Sequence, residues 1–311
     1  MNRLFSLATG VLIILAAQNC ADTSNKTNPA TKTLQPDPIY APVSLAPQFG
    51  DYWYQGKGEL CAYDVVQERY GEVRRAEQVN IFVTEDLSKS KQVKLDDPSA
   101  AGDDKVPVLK LNALRKFETG IYDYSLMQSV FTPIDGAPTL KTTATVQDWC
   151  GHVFMQTNLE PKGYRARIFS YFESEGDQDI TLPLIMMEDE LWTRLRLNPF
   201  AIKTGKQQVL PSTLYARLRH KPLGAQEADI QFEKGTEESA LLLTYSAIPR
   251  SLRIRFETEF PHKILGWEET NEGQMASKGV LKSTRRSAYW AEHNNENSPL
   301  RDSLKILRRK D

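Results

Sequence analysis

Cysteine is scarce in this chain, with three in 311 residues, at Cys20, Cys61 and Cys150. That count excludes a disulfide-stapled scaffold, which needs a dense and even set of thiols. Excess charge of one sign is lacking too, because 39 Lys and Arg stand against 40 Asp and Glu. The concentrated positive field that phosphate binding requires is therefore absent, and nucleic acid is not an expected partner. His152, His220, His262 and His293 lie dozens of residues apart, without H-x-x-x-H or C-x-x-C spacing. Neither a metal site nor a cofactor is expected from them. A glycine-rich phosphate loop and a G-x-S-x-G elbow are also missing. The apolar run between Arg3 and Gln18 is about 14 residues, short of the roughly 20 needed to span a bilayer.

What that run does have is the layout of an export signal: one positive charge, an apolar stretch, small residues and then Cys20. Leu15, Ala16 and Ala17 before Cys20 resemble the lipobox of bacterial lipoproteins, with Gln18 and Asn19 where small residues are usual. Residues 1–19 read as a signal peptide and Cys20 as the lipid-attachment site, which places the chain in the cell envelope. Ala21 in place of Asp after the cysteine resembles the proteobacterial pattern for the outer membrane. Residues 20–50 are dominated by Ser, Thr, Asn, Ala and Pro, too poor in apolar side chains to fold, and read as a disordered tether. About 25 such residues reach roughly 25–30 Å as a coil.

The single folded domain is expected from residue 51 to 311, starting at the aromatic cluster Tyr52-Trp53-Tyr54. Its signal is mostly period two. Ala228, Ile230 and Phe232 alternate with polar residues, as do Leu252, Ile254 and Phe256. That pattern marks antiparallel strands with one face in the core. Weaker alternation covers 59–69, 79–85, 122–130, 143–156, 164–173, 214–220 and 280–290. Short turns at Tyr70-Gly71-Glu72, Asp135-Gly136-Ala137-Pro138 and Pro161-Lys162-Gly163 suit hairpins. One helix is expected over Pro183–Asn198, with Leu184, Met187, Leu191 and Leu195 on one stripe. Its acidic residues Glu188-Asp189-Glu190 fall early and Arg194 and Arg196 late, an order that suits the helix dipole. Lys305–Lys310 reads as a basic, solvated tail. The fold class is mainly β (α+β): a curled antiparallel sheet or half-barrel, similar to carriers of the LolA/LolB type, with one principal helix.

The local pattern that comes nearest to chemistry is Trp149-Cys150-Gly151-His152. On a strand, Cys150 and His152 would share a face, about 7 Å apart, as a thiol–imidazole nucleophile pair or a ligand site would require. Val146 and Phe154 fall on that face as well, so core packing competes with catalysis. Cys61 and Cys150 would remain after lipidation, either as buried free thiols or as a disulfide. Arg165 with Arg167, and Arg253 with Arg255, share strand faces and suit cross-strand carboxylates. The spacing of Glu68, Glu72, Glu188 and Glu190 marks no acid–base pair.

The strings DYWYQGKGELCAYDVVQERYGEVR, ETGIYDYSLMQSVFTP, VQDWCGHVF and DELWTRLR resemble Bacteroidetes-type lipoproteins of unknown function, often labelled "septum formation inhibitor Maf". The label implies a nucleotide pyrophosphatase with an S-x-S-P-R-R-like motif. This chain lacks that motif, and none of its Arg-Arg steps follows Ser-Pro. The expected function is therefore a membrane-anchored, non-enzymatic envelope lipoprotein that binds a hydrophobic ligand or an envelope partner. A hydrolase using Cys150 and His152, and a Maf-type pyrophosphatase, are the alternatives.

Overall fold

Strand-forming alternation runs through nearly the whole domain, and its products pair with their sequence neighbours. The computed structural model describes Tyr40 and residues 42–306. The expected signal peptide, Cys20, the tether up to residue 39 and the tail beyond residue 306 lie outside the described residues. A short helix, α1 (Phe49–Trp53), precedes the first strands, β1 (Gly58–Arg69), β2 (Glu72–Ser88) and β3 (Lys105–Thr119). β4 (Tyr122–Pro133), β5 (Lys141–Gln147), β6 (His152–Glu160), β7 (Gly163–Phe169) and β8 (Gln178–Leu182) continue the meander. After β9 (Met186–Met187) the chain forms a short 3-10 turn (Glu188–Glu190) and helix α2 (Leu191–Leu197). β10 (Gly205–Leu210), helix α3 (Thr213–Leu218), β11 (Gln226–Glu233) and β12 (Glu238–Tyr245) follow. β13 (Arg250–Glu257), β14 (Ile264–Asn271) and β15 (Gln274–Ser287) complete the strands.

Among the described residues all fifteen strands form one sheet, in the order β8-β7-β6-β5-β4-β3-β2-β1-β15-β14-β13-β12-β11-β10-β9. Two meanders are joined where the first and last strands pair antiparallel, Glu59 facing Arg286 and Gln67 facing Ser277. Every ladder is antiparallel except the short β9–β10 contact. The sheet edges are β8 and β9, separated in sequence only by residues 183–185 and sharing no ladder. A side-chain cluster of Tyr164, Ala166, Leu182, Ile185, Met187 and Leu210 closes that seam. A sheet this wide must curl, and here it curls until its two edges pack together without closing. The mainly β, curled antiparallel architecture is the one the alternation predicts.

Helix α2 occupies the inside of the curl. Leu191, Leu195 and Leu197 belong to the main core, together with Phe82, Leu111, Val130, Leu241, Ile254 and Trp267 from opposite walls. The helical stretch starts at residue 188, not at Pro183, because Met186 and Met187 pair with Val209 and Leu210 as a strand. The 214–220 alternation is corrected more strongly: Thr213–Leu218 is helix α3. Leu214 and Leu218 satisfy a four-residue helical spacing as well as a strand's, and the helix packs them against Phe117, Tyr124 and Leu126. The 143–156 segment is two strands, β5 and β6, divided by a turn.

Ordered packing also begins before residue 51. Tyr40 is buried, and its hydroxyl donates to the Ile185 carbonyl at 2.8 Å and to Glu190 Oε1 at 3.0 Å. Val43 and Leu45 pack on the main core. At the other terminus, Leu304 and Ile306 are buried on the outer face of β1 and β2, against Leu60, Ala62, Val79 and Ile81.

Candidate functional site

Trp149, Cys150 and His152 are not arranged as a nucleophile pair. Gln147 faces His152 across the β5–β6 hairpin, and residues 148–151 form the turn between them. Asp148 builds that turn: its carboxylate accepts from the Cys150 N–H at 2.7 Å and the Gly151 N–H at 3.1 Å. The turn resets the alternation, so Val153 and Met155 face the core and Phe154 is only half-buried. Cys150 and His152 are both exposed on the outside of the curl. Both thiols are free, so the Cys61–Cys150 disulfide does not form. Cys61 is buried on β1, where its thiol donates to Glu59 at 3.2 Å, while Cys150 sits in an exposed turn. Burial and the nearby Glu59 carboxylate push the Cys61 thiol far above its ordinary value, which leaves it without thiolate character.

Three of the four paired arginines meet carboxylates on other strands, while Arg167 donates to Asn158 Oδ1 at 3.3 Å. Arg165 binds Asp179 at 2.5 Å, Arg253 binds Glu233 at 2.6 Å and Arg255 binds Glu238 at 3.0 Å. These are surface pairs of small energetic weight.

The charged residues of the segment that plugs the curl, residues 188–197, behave differently. Glu188, Asp189, Glu190, Arg194 and Arg196 are all buried. Glu188 accepts from Arg250 Nη2 at 2.6 Å and from the Tyr245 hydroxyl at 2.6 Å. Asp189 reaches α3, accepting from the Thr213 hydroxyl at 2.8 Å and from its N–H. Glu190 pairs with Arg194 at 2.9 Å. Arg196 crosses to β1 and binds both oxygens of Glu59, while its Nε donates to the Pro261 carbonyl at 2.9 Å. The plug is thus held to the wall near the β12–β13 turn through Glu188 and at the opposite end through Arg196.

Burial alone would raise the Glu59 carboxyl, but the Arg196 guanidinium and hydrogen bonds from Arg196, Tyr52 and Cys61 outweigh it. The result is a value lowered to about 2. Asp189 has no cation of its own, and burial raises it to about 6, with Glu188 adding to the rise and Thr213 opposing it.

Between the plug and α3 lies a cavity of about 70 Å³. Its wall carries a layer of polar side chains: Gln67 from β1, Gln78 and Asn80 from β2, Arg115 from β3 and Gln128 from β4. Trp192 of α2 and Trp267 of β14 lie against it and meet edge to face at 5.4 Å. Trp267 lies flat over Gly279 of β15, where a methyl group would collide with the indole. Pockets for small-molecule ligands run to about 300–1,000 Å³. This cavity is far smaller, so it offers no room for a hydrophobic ligand of that size.

A second feature lies outside the curl. Alternate hairpin turns of a meander fall at one end of the sheet, so the β1–β2, β3–β4, β5–β6 and β7–β8 connections share an end. Each carries a large exposed side chain: Tyr70 at 58%, Ile121 at 85%, Trp149 at 70% and Tyr171 at 62% exposure. Tyr70, Trp149 and Tyr171 are tied together through neighbouring residues. Tyr70 and Tyr124 share a hydroxyl hydrogen bond of 2.6 Å, Tyr122 lies 5.9 Å from Tyr124 and Trp149 6.5 Å from Tyr122. Tyr171 covers Gly151, where an added Cβ would lie 2.6 Å from the ring.

Of the residues singled out in the sequence, only Trp149 belongs to this rim as a contact surface, with Cys150 and His152 beside it. Tyr70, Ile121 and Tyr171 were missed. The readable signal was an aromatic or aliphatic residue next to a turn glycine, as in Tyr70-Gly71 and Gly120-Ile121. Among the described residues no group of His, Cys, Asp and Glu is placed to hold a metal ion, and no helix is long and apolar enough to cross a membrane.

No family model matches the chain, and no curated protein matches it. Among solved structures it is similar to a β-barrel-like protein of the domain of unknown function DUF1849 from Brucella abortus. That likeness has a TM-score of 0.45 at 7% identity and covers 74% of this chain and 97% of the other.

Proposed function

We propose that this chain is a lipid-anchored, non-enzymatic protein of the cell envelope that binds a protein partner through the turn-bearing end of its sheet. The observation that carries this reading is the set Tyr70, Ile121, Trp149 and Tyr171, exposed on the four turns at one end of the first meander. A monomer rarely exposes linked large apolar groups without a use for them, and Tyr and Trp are enriched at protein interfaces. The turns also carry exposed Glu72, Glu118, Asp123, Glu173 and Asp177. That acidic fringe disfavours anionic headgroups and suits a partner protein with basic residues around an apolar patch. The export signal and Cys20 support an envelope address, and the packing of Tyr40 against the seam supports a tether that leaves the domain there.

The test places a photo-crosslinking amino acid at Ile121 or Trp149 in growing cells, with Lys162 on the opposite end as the reference position. A discrete protein adduct is expected from the two rim positions and not from Lys162. It should disappear when Trp149→Ser and Tyr171→Ser are combined in a chain that keeps its folded near-ultraviolet spectrum. Adducts of equal yield at Lys162, or adducts to lipid alone, would overturn the assignment.

A further inference from the structure

The polar layer facing the cavity contains a cation without a counter-charge. Arg115 Nε donates to Gln78 Oε1 at 2.7 Å, and Nη1 donates to Gln67 Oε1 and, at 3.3 Å, to Ser277 Oγ. Among the described residues Nη2 has no acceptor and no carboxylate lies within ion-pair distance of Arg115. Asn80 sits in the same wall, fully buried, with Oδ1 accepting from Gln78 at 2.7 Å and Nδ2 without any partner. A buried amide donor left unpaired costs about 1–3 kcal/mol, and half-buried Arg115 meets only neutral acceptors and, at 5.5 Å, the Trp267 ring. Burial indeed lowers Arg115 to about 10, with the more distant Glu269 opposing that fall.

The two open donors define the complement. A carboxylate can meet Arg115 with one oxygen, and a small shift of the Asn80 amide, which is sealed from the cavity, would bring Nδ2 to the other. About 70 Å³ admits a few waters or one anion of a few heavy atoms. The indoles of Trp192 and Trp267 supply an apolar wall for a short carbon chain. Glu188 and Glu269, both already paired with Arg250, also line the cavity and would repel a second negative charge. Half-buried Leu214, Arg219 and Glu269 form its solvent side.

We infer that this recess between α2 and α3 binds a small monocarboxylate, of acetate to lactate size, on Arg115 and Asn80. The site is distinct from the rim and stands or falls separately from it. The experiment follows tryptophan emission and thermal midpoint of the full-length protein in detergent. Sodium acetate, lactate, phosphate and chloride are titrated at constant ionic strength. Acetate or lactate should give a saturable change in both readouts. Arg115→Gln should weaken it by roughly ten- to a hundredfold, the loss expected for a charged hydrogen bond, and Asn80→Ala by several-fold. If Arg115→Gln loses its folded spectrum, Asn80→Ala decides. No saturable response in the folded wild type, an unchanged response in folded Arg115→Gln or in Asn80→Ala, or equal saturation by phosphate or chloride would overturn the inference.

Discussion

Arg196 on the plug helix and Glu59 on β1 form an ion pair with both side chains fully removed from solvent, 137 residues apart in sequence. Such a pair adds little to stability compared with an apolar replacement, but removing one partner strands the other in the core. Arg196→Met should therefore cost about 3–5 kcal/mol, and Glu59→Gln with Arg196→Met should recover a large part of that loss. Urea denaturation of the two single variants and the double variant measures the coupling. Simple addition of the single losses would mean that the plug is not held as described.

Acid sensitivity should have two limbs of opposite sign. Glu59 is lowered to about 2 from 4.5, so its contribution is complete above about pH 4.5 and is lost as pH falls towards 2. Asp189 is raised to about 6 from 3.8. Between those values the folded state holds more protons than the unfolded one, so stability rises as pH falls. The denaturation midpoint should climb modestly from pH 7 to about 5 and then drop below 4. Asp189→Asn should flatten the upper limb and leave the lower one. A monotonic decline from pH 7 would contradict the Asp189 environment.

Gly279→Ala tests the seating of Trp267. With the indole lying over that backbone, a methyl group forces Trp267 away from Arg115 and Trp192. A loss of about 1–3 kcal/mol is expected from overpacking, together with a shift in tryptophan emission. An unchanged midpoint and spectrum would show that the indole lies elsewhere.

The thiols should separate cleanly. Cys150 is exposed and Cys61 is buried with its proton held. Iodoacetamide should label Cys150 in the folded state, and Cys61 only after unfolding. Mass mapping of the labelled peptides checks this, and native labelling of Cys61 would contradict its place in the core.

The strands with strict alternation were legible. Leu252, Ile254 and Phe256 are buried in the order that their spacing indicates. β2 shows why the rest was not. Val79 and Ile81 look like its core face, yet they pack outward beneath Leu304 and Ile306, while Gln78 and Asn80 face in. An apolar alternation tells which residues are covered, not what covers them, and the covering segment lies more than 200 residues away. For a related reason the helix itself was legible, but the burial of its charged residues was not. Glu188 and Arg196 suit a solvated amphipathic helix when only local charge order is considered, but their partners, Arg250 and Glu59, are 62 and 137 residues distant. At Cys150 the deciding residue was local: Asp148 makes a turn where alternation suggested a continuous strand.

Native mass spectrometry of the protein extracted from its own membranes tests the central claim most directly: the interior is filled by the plug, and macromolecular binding occurs at the rim. The expected species is the polypeptide with its covalent N-terminal lipid, alone or with a protein partner that is lost with Trp149→Ser and Tyr171→Ser. A stoichiometric, non-covalent lipid retained by the folded chain would contradict it.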